Sequence, residues 1–118
     1  ENNVVNGQVN QLLIVLLKNM SRLFVLVNNK MPLPYQGVQG GHAVAQWLLE
    51  HPNQEWNNNY LIYLGVSEKE LQRWIFKLDL KKIDYSFFKE PDLDNKITAI
   101  AILGDEHNLF KNLKLMGA

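Results

Sequence analysis

The segment from Leu23 to Leu49 constrains the fold of this chain more than any other. It opens with an apolar run, Leu23–Val27, that is typical of a buried strand. Pro32 and Pro34 follow and predict a turn, because proline interrupts regular structure. From about Gln36 the apolar residues return at helical spacing. We therefore expect a strand, a loop and a helix, whose N-terminus offers free N–H groups suited to an anion.

Three glycines, Gly37, Gly40 and Gly41, fall in the first turns of that helix. Each costs about 1 kcal/mol relative to alanine in a helix interior. Such a cost is tolerated where another group must approach the helix backbone closely. We favour close packing against a sheet, with a bound ligand as the alternative.

The rest of the chain alternates between strand and helix patterns. Tyr60–Val66 predicts a second strand, and Ser67–Glu70 is a capping box that opens a second helix. Tyr85–Phe88 predicts a third strand, and the almost wholly apolar run Ile97–Leu103 predicts a central strand. Glu106–Leu113 is expected to form a short last helix. This order predicts an α/β domain, a three-layer α/β/α arrangement with a mixed four-stranded sheet.

The domain is expected to span residues 21–118, preceded by a leader or extra N-terminal segment over residues 1–20. With 118 residues, of which 47% are hydrophobic, the chain suits one domain with a sizeable core. The apolar run Leu12–Leu17 is far shorter than the ~20 residues that span a bilayer. No secretory signal is recognisable, so we expect a cytoplasmic protein with no membrane partner. An exposed run of this kind favours self-association, and a homodimer is one expectation.

Several kinds of chemistry are excluded by composition and spacing. The chain has no cysteine, which rules out disulfides, thiolate catalysis and cysteine-ligated zinc. Its three histidines, His42, His51 and His107, are too scattered for a zinc motif, and no phosphate-binding glycine pattern is present. We therefore expect no metal and no cofactor. Twelve basic residues balance twelve acidic ones, so any nucleic acid must bind to a local patch.

Three groups of polar residues remain as candidates. Gln39 and His42 lie three apart and share a face of the first predicted helix. An acidic cluster precedes the last long strand, and a basic residue recurs at every fourth position of the second helix. These two sets are Glu90, Asp92 and Asp94, and Lys69, Arg73, Lys77 and Lys81. Each group also has a structural explanation: a histidine bonded to a neighbour, acidic residues in Asx turns, and a solvated helix face.

The order of these motifs resembles the archaeal and eukaryotic type of peptidyl-tRNA hydrolase. Gln39-Gly-Gly-His-Ala43, after a first strand and a proline-bearing loop, is similar to that family's Gln-x-x-His-Ala signature on its first helix. Lys89-Glu-Pro91 and Thr98-Ala-Ile-Ala-Ile102 follow in the family's order. They look most like its divergent peptidyl-tRNA hydrolase domain-containing branch. The resemblance covers about Arg22 to Met116.

This resemblance implies a mixed four-stranded sheet and metal-free hydrolysis of the ester that joins a peptide to the tRNA 3′ end, which recycles tRNA. In the family, a lysine four positions before the glutamine and an arginine–aspartate pair after the third strand carry the site. Here Tyr35 replaces that lysine, and Lys89-Glu90 matches the pair in charge. Lys30, in the preceding loop, is a candidate to replace the missing ammonium.

The resemblance also implies roles for the candidate residues. Gln39 and His42 would fix the water or the terminal ribose, while Glu90 or Asp92 would orient or deprotonate that water. Helix amides with Tyr35 or Lys30 would stabilise the oxyanion. The four basic residues of the second helix would hold phosphates of the peptidyl-tRNA or tRNA partner. The alternatives are a catalytically silent RNA- or protein-binding domain on the same fold and, ranked last, a small-molecule hydrolase.

Overall fold

The computed structural model describes residues 21–53, 56–104 and 108–118. Its helices and strands are β1 (Arg22–Asn28), α1 (Leu33–Glu50), β2 (Tyr60–Val66), α2 (Glu68–Leu80), β3 (Ser86–Glu90), β4 (Lys96–Leu103) and β5 (Lys114–Leu115). A single 3-10 turn, Pro91–Leu93, joins β3 to β4. The predicted N-terminal segment, residues 1–20 with its run Leu12–Leu17, lies outside the described residues, so the leader and the homodimer stay predictions.

The strands form one mixed sheet in the order β3-β4-β1-β2-β5. The central strand β1 pairs parallel with β2 and antiparallel with β4. Because β3 is antiparallel to β4, it runs in the same direction as β1. The carboxyl ends of β1, β2 and β3 therefore lie at one edge of the sheet, which we call the carboxyl edge.

Each face of the sheet is covered by one helix. On one face, Trp47 of α1 packs in the same cluster as Val25 of β1. On the opposite face, Leu71 and Leu78 of α2 pack in the cluster that contains Leu26. Because β1 is buried on both sides, its five central residues Leu23–Val27 are all apolar, as the hydrophobic run predicted.

The α/β class and the mixed sheet are confirmed, but two details of the predicted architecture are wrong. The sheet has five strands instead of four, because Lys114–Leu115 pairs with β2 at its outer side. The predicted last helix is absent from residues 108–113, which form turns in the described chain. Asn108 has a φ of 51°, a left-handed conformation that ends helical winding. What is confirmed is the coarser prediction, a mixed sheet with one helix on each face; the four strands and the last helix of the predicted three-layer arrangement are not observed.

Two boundaries also differ from the predicted ones. Helix α1 begins at Leu33 instead of near Gln36, because Pro34 lies in its first turn, where a missing N–H costs nothing. Strand β3 continues to Glu90, two residues beyond the predicted Phe88. Glu90 is therefore the last residue of a strand and not part of a loop.

The predicted capping box of α2 is confirmed. The N–H of Glu70 donates to Oγ of Ser67 at 3.1 Å, and the N–H of Ser67 donates to Oε1 of Glu70 at 3.1 Å. The helix ends at Leu80, and Lys81 is its C-cap residue.

Close packing explains only one of the three glycines in α1. A Cβ atom placed on Gly40 would lie 2.9 Å from Cζ of Tyr63 on β2, so the tyrosine ring rests against the helix backbone. Gly37 and Gly41 have open space at the same position. The prediction of packing against the sheet is confirmed for Gly40, and no neighbour in the described chain explains the other two.

Candidate functional site

A buried glutamine links three elements near the carboxyl edge. Gln39 of α1 is 2% exposed, and its Nε2 donates to Oε1 of Glu90 at 2.9 Å. The hydroxyl of Thr98 on β4 donates to Oε1 of the same glutamine. Because an ionised carboxylate can only accept, Glu90 fixes which end of the glutamine amide faces it. The three side chains therefore form one ordered network across α1, β3 and β4.

A β-bulge in β4 turns the side chain of Thr98 towards Gln39. The pairing shifts between Phe88 and Lys89, which lie opposite Ala99 and Ile97, so Thr98 faces no partner residue across the strands. Ala99 packs in the α1 cluster and Ile97 against the α2 cluster. Thr98 is thus the extra residue of a β-bulge, and it points to the α1 face together with Ala99. Sequence reasoning missed its role, although a lone threonine in a buried apolar run was the available signal.

The two predicted acidic candidates are separated by the structure. Glu90 is half-buried, bonds to Gln39, and accepts from the N–H of Asp92 at 3.4 Å through its other oxygen. Asp92 is exposed and lines a shallow groove beside Lys89 and Lys96. Asp94 has a left-handed φ of 54° in the turn before β4. Glu90, and not Asp92, therefore joins the glutamine.

His42 lies one turn after Gln39 and reaches the same strand. Its ring stacks on Phe88 of β3, with 4.3 Å between ring centroids and an interplanar angle of 9°. Its other side is exposed to solvent. The prediction that Gln39 and His42 share one face of the helix is confirmed, since both contact β3.

The loop between β1 and α1 is held in place by buried amides. The Nε2 of Gln36, a residue that sequence reasoning did not single out, donates to the carbonyl of Met31 at 2.6 Å. Oδ1 of Asn28 accepts from the N–H of Lys30 at 2.9 Å. These contacts fix the backbone that carries Lys30, while the lysine itself is exposed.

The N-terminus of α1 opens onto the same edge. Among the described residues no side chain caps it, its first turn holds no acidic residue, and Tyr35 is 59% exposed there. The N–H groups of Leu33 and Tyr35 have no intrahelical acceptor, whereas Pro34 has no N–H and that of Gln36 donates to the Pro32 carbonyl at 3.0 Å. Four of the predicted site residues lie at the carboxyl edge: Lys30, Tyr35, Gln39 and Glu90. Of these, Gln39 and Glu90 are hydrogen-bonded to each other.

The predicted basic residues lie on the other helix. Lys69, Arg73 and Lys77 are exposed on α2, which covers the sheet face opposite to α1. Lys81 follows the last helical residue as the C-cap and is therefore not part of the helix itself, a correction to the predicted stripe. The basic side chains and the Gln39–Glu90 pair are on opposite sides of the sheet.

The acidic residues of α2 are engaged elsewhere. Glu68 pairs with Lys96 at 3.0 Å, Glu70 completes the capping box, and Asp79 accepts from the Tyr85 hydroxyl at 2.8 Å. Only Glu68 is neutralised by an ion pair, so Glu70 and Asp79 still place negative charge among the basic residues of α2.

A second polar cluster ties the far end of α1 to the start of β3. Nδ1 of His51 lies 2.9 Å from the Trp47 carbonyl, and Nε2 lies 2.6 Å from Oδ2 of Asp84. Both partners are acceptors, so the geometry favours the imidazole with a proton on each ring nitrogen, which is the cationic form. Burial alone would lower the pKa of His51, but the carbonyl and the carboxylate outweigh it and raise that pKa.

This geometry predicts a pH-dependent stability. Because the folded-state pKa of His51 is raised, its contribution is fully present below the unfolded value near 6.5 and is lost as pH rises through the folded value. Hydrogen bonds from Ser86 and Gln46 lower the pKa of Glu50, so that group titrates below this window. We therefore expect urea unfolding to give a higher free energy of unfolding at pH 5.5 than at pH 8.5.

His51→Gln is the control, because it removes this imidazole and leaves the rest of the chain unchanged. The variant should lose most of the difference between the two pH values. An equal pH dependence in both proteins would contradict a cationic His51.

The described residues show neither a metal site nor a membrane-spanning helix. No three His, Asp or Glu side chains of the described residues lie close enough together to hold a metal ion. Within the same part of the chain, no helix is long and apolar enough to cross a membrane.

Comparison with known proteins shows a similarity of fold and no similarity of function. No family model and no curated protein matches the sequence. A solved structure, that of a protein of unknown function from Agrobacterium tumefaciens strain C58, is similar with a TM-score of 0.63. The alignment covers 80% of this chain and 96% of that one at 10% sequence identity.

Proposed function

We propose that this chain is a peptidyl-tRNA hydrolase-like enzyme that cleaves the ester between a peptide and the tRNA 3′ end. The observation that best supports this is the 2.9 Å bond between Gln39 and Glu90 at the carboxyl edge, where the uncapped end of α1 also lies. A carboxylate held by a buried amide, near unpaired helix amides, suits proton transfer from water and stabilisation of an oxyanion.

The proposed reaction needs only water and the ester. Glu90 accepts a proton as water attacks the carbonyl carbon, and Gln39 fixes the carboxylate for that transfer. The oxyanion is stabilised by the first amides of α1 with Lys30 or Tyr35. When the intermediate collapses, the C–O bond to the ribose breaks and the leaving oxygen takes the proton back from Glu90.

Basic residues on α2 are proposed to hold the tRNA. Lys69, Arg73 and Lys77, with Lys81 at the end of the helix, would neutralise phosphates, which predicts binding that weakens steeply with salt. Such a substrate implies a cytoplasmic location.

The alternative is a catalytically silent RNA- or protein-binding domain on the same fold. Two observations favour it: Tyr35 stands where the family has its lysine, and both oxygens of Glu90 already accept hydrogen bonds.

The deciding experiment is single-turnover hydrolysis of an N-acetylated aminoacyl-tRNA by the wild-type chain beside Tyr35→Lys. We expect the wild type to cleave, and Tyr35→Lys to be faster by about tenfold or more, since an added ammonium at the start of α1 would stabilise the oxyanion.

Tyr60→Lys is a matched control, because it adds the same charge at an exposed tyrosine at the start of β2, away from the carboxyl edge. It should leave the rate unchanged. If neither the wild type nor Tyr35→Lys cleaves, the hydrolase proposal fails and the binding domain is favoured.

A further inference from the structure

The outer face of α2 carries large apolar side chains directly opposite the core. Phe76 and Leu80 are 66% and 68% exposed, whereas Leu71 and Leu78 are fully buried. With 3.6 residues per turn, the exposed pair lies on the far side of the helix from the buried pair. A solvated helix face normally places polar residues there, so two such side chains indicate a surface that binds something.

Most of the charges around these residues are positive, and the one carboxylate near Phe76, that of Asp79, accepts a hydrogen bond from the Tyr85 hydroxyl at 2.8 Å. Lys69 and Arg73 lie within about 60° of Phe76 around the helix axis. Neither forms an ion pair in the described parts of the chain, where the carboxylate of Glu68 is paired with Lys96. Lys77 flanks the same face, with its Nζ 4.6 Å from the centre of the Trp74 ring. An aromatic ring among unpaired cations is complementary to an anionic partner that also has flat apolar surfaces.

We propose that this α2 face, formed by Lys69, Arg73, Phe76 and Leu80, binds unpaired nucleotides of RNA. Phe76 stacks on a base and the cations neutralise the neighbouring phosphates, a combination that single-stranded nucleic acids favour. The inference rests on the proposed function, which supplies an RNA substrate, and adds where its unpaired nucleotides bind.

A groove leads from this face towards the loop that follows Glu90. Gln72 of α2, one turn before Phe76, lines it together with Lys89, Asp92 and Lys96, and its volume is about 560 Å³. Its wall carries Lys89 and Lys96 beside Asp92 and Asp94, and Lys96 is paired with Glu68 at 3.0 Å. Lys89 is therefore the cation that a phosphate would meet if a strand stacked on Phe76 continued along this groove.

The test is fluorescence anisotropy with a labelled single-stranded RNA that ends in CCA and with a blunt duplex RNA. We expect Phe76→Ala to weaken binding of the single strand by about tenfold and Phe76→Trp to preserve it, because stacking needs only an aromatic face. Leu49→Ala is the matched control, since it removes an equally exposed apolar side chain from α1. It should bind like the wild type.

Equal single-strand affinity for Phe76→Ala and the wild type would overturn the proposal, as would equal affinity for the duplex and the single strand. Phe76-dependent binding to vesicles with phosphatidylserine, with no RNA binding, would assign the face to a membrane instead. Phe76-dependent RNA binding in a chain that cleaves no ester would support this surface and contradict the hydrolase. Circular dichroism of each variant shows whether the fold is intact.

Discussion

Glu90→Gln is expected to slow single-turnover hydrolysis of an N-acetylated aminoacyl-tRNA by about 100-fold or more, the usual effect of removing a general base. The substitution preserves the shape of the side chain and the bond to Gln39, because the amide oxygen can still accept from Nε2 of Gln39. The new NH2 group cannot accept from the N–H of Asp92, so the variant loses that long contact of 3.4 Å together with the ability to take a proton. Binding of tRNA should therefore stay unchanged.

Asp92→Asn is the matched control for this prediction. Asp92 is exposed in the groove and does not contact Gln39, so its variant should cleave at nearly the wild-type rate. A large loss in Asp92→Asn with a normal rate in Glu90→Gln would transfer the role of base to Asp92. Normal rates in both variants would exclude both carboxylates from the reaction.

The second large effect is expected on stability, from two neighbouring glycines. Gly40→Ala should lower the free energy of unfolding by about 1–3 kcal/mol, since the new methyl group collides with the Tyr63 ring. Gly41→Ala meets open space and should raise stability by up to about 1 kcal/mol, because alanine favours the helix. Urea unfolding measures both, and the midpoint should shift without a change in slope.

A double variant tests whether Tyr63 is the cause. In a Tyr63→Ala background the collision is removed, so Gly40→Ala should become neutral or stabilising. If Gly40→Ala stabilises the otherwise unmodified chain as much as Gly41→Ala does, the tyrosine moves aside freely and the packing explanation is wrong.

Most of the fold was predicted correctly from patterns among residues that are close in sequence. The strand Tyr60–Val66 and the capping box at Ser67 depend on residues close in sequence, and both were predicted at their observed positions. The two-residue strand β5 could not be predicted, because it exists only through pairing with β2. The predicted last helix failed for a related reason: Asn108 adopts a left-handed turn that an apolar periodicity does not reveal.

The candidate site was predicted in part. Gln39 and His42 were recognised together because helical spacing places them on one face, and both contact β3. The sequence predicted Glu90 and Asp92 as equal candidates for the acidic residue. The structure distinguishes them, because β3 extends to Glu90 and places only that carboxylate against Gln39. Thr98 was missed because its direction depends on a shift between paired strands, which no single segment encodes.

Because Thr98 is the extra residue of a bulge, the sheet does not need it for its regular pairing or for its hydrophobic packing. Ile97 and Ala99 already face opposite sides, so a β4 lacking the residue between them would alternate regularly and keep both hydrophobic clusters. The hydroxyl that holds Gln39 is thus carried by an inserted position that the scaffold does not require. Deletion of this one residue would therefore remove the hydrogen bond to Gln39 while both hydrophobic clusters keep their residues.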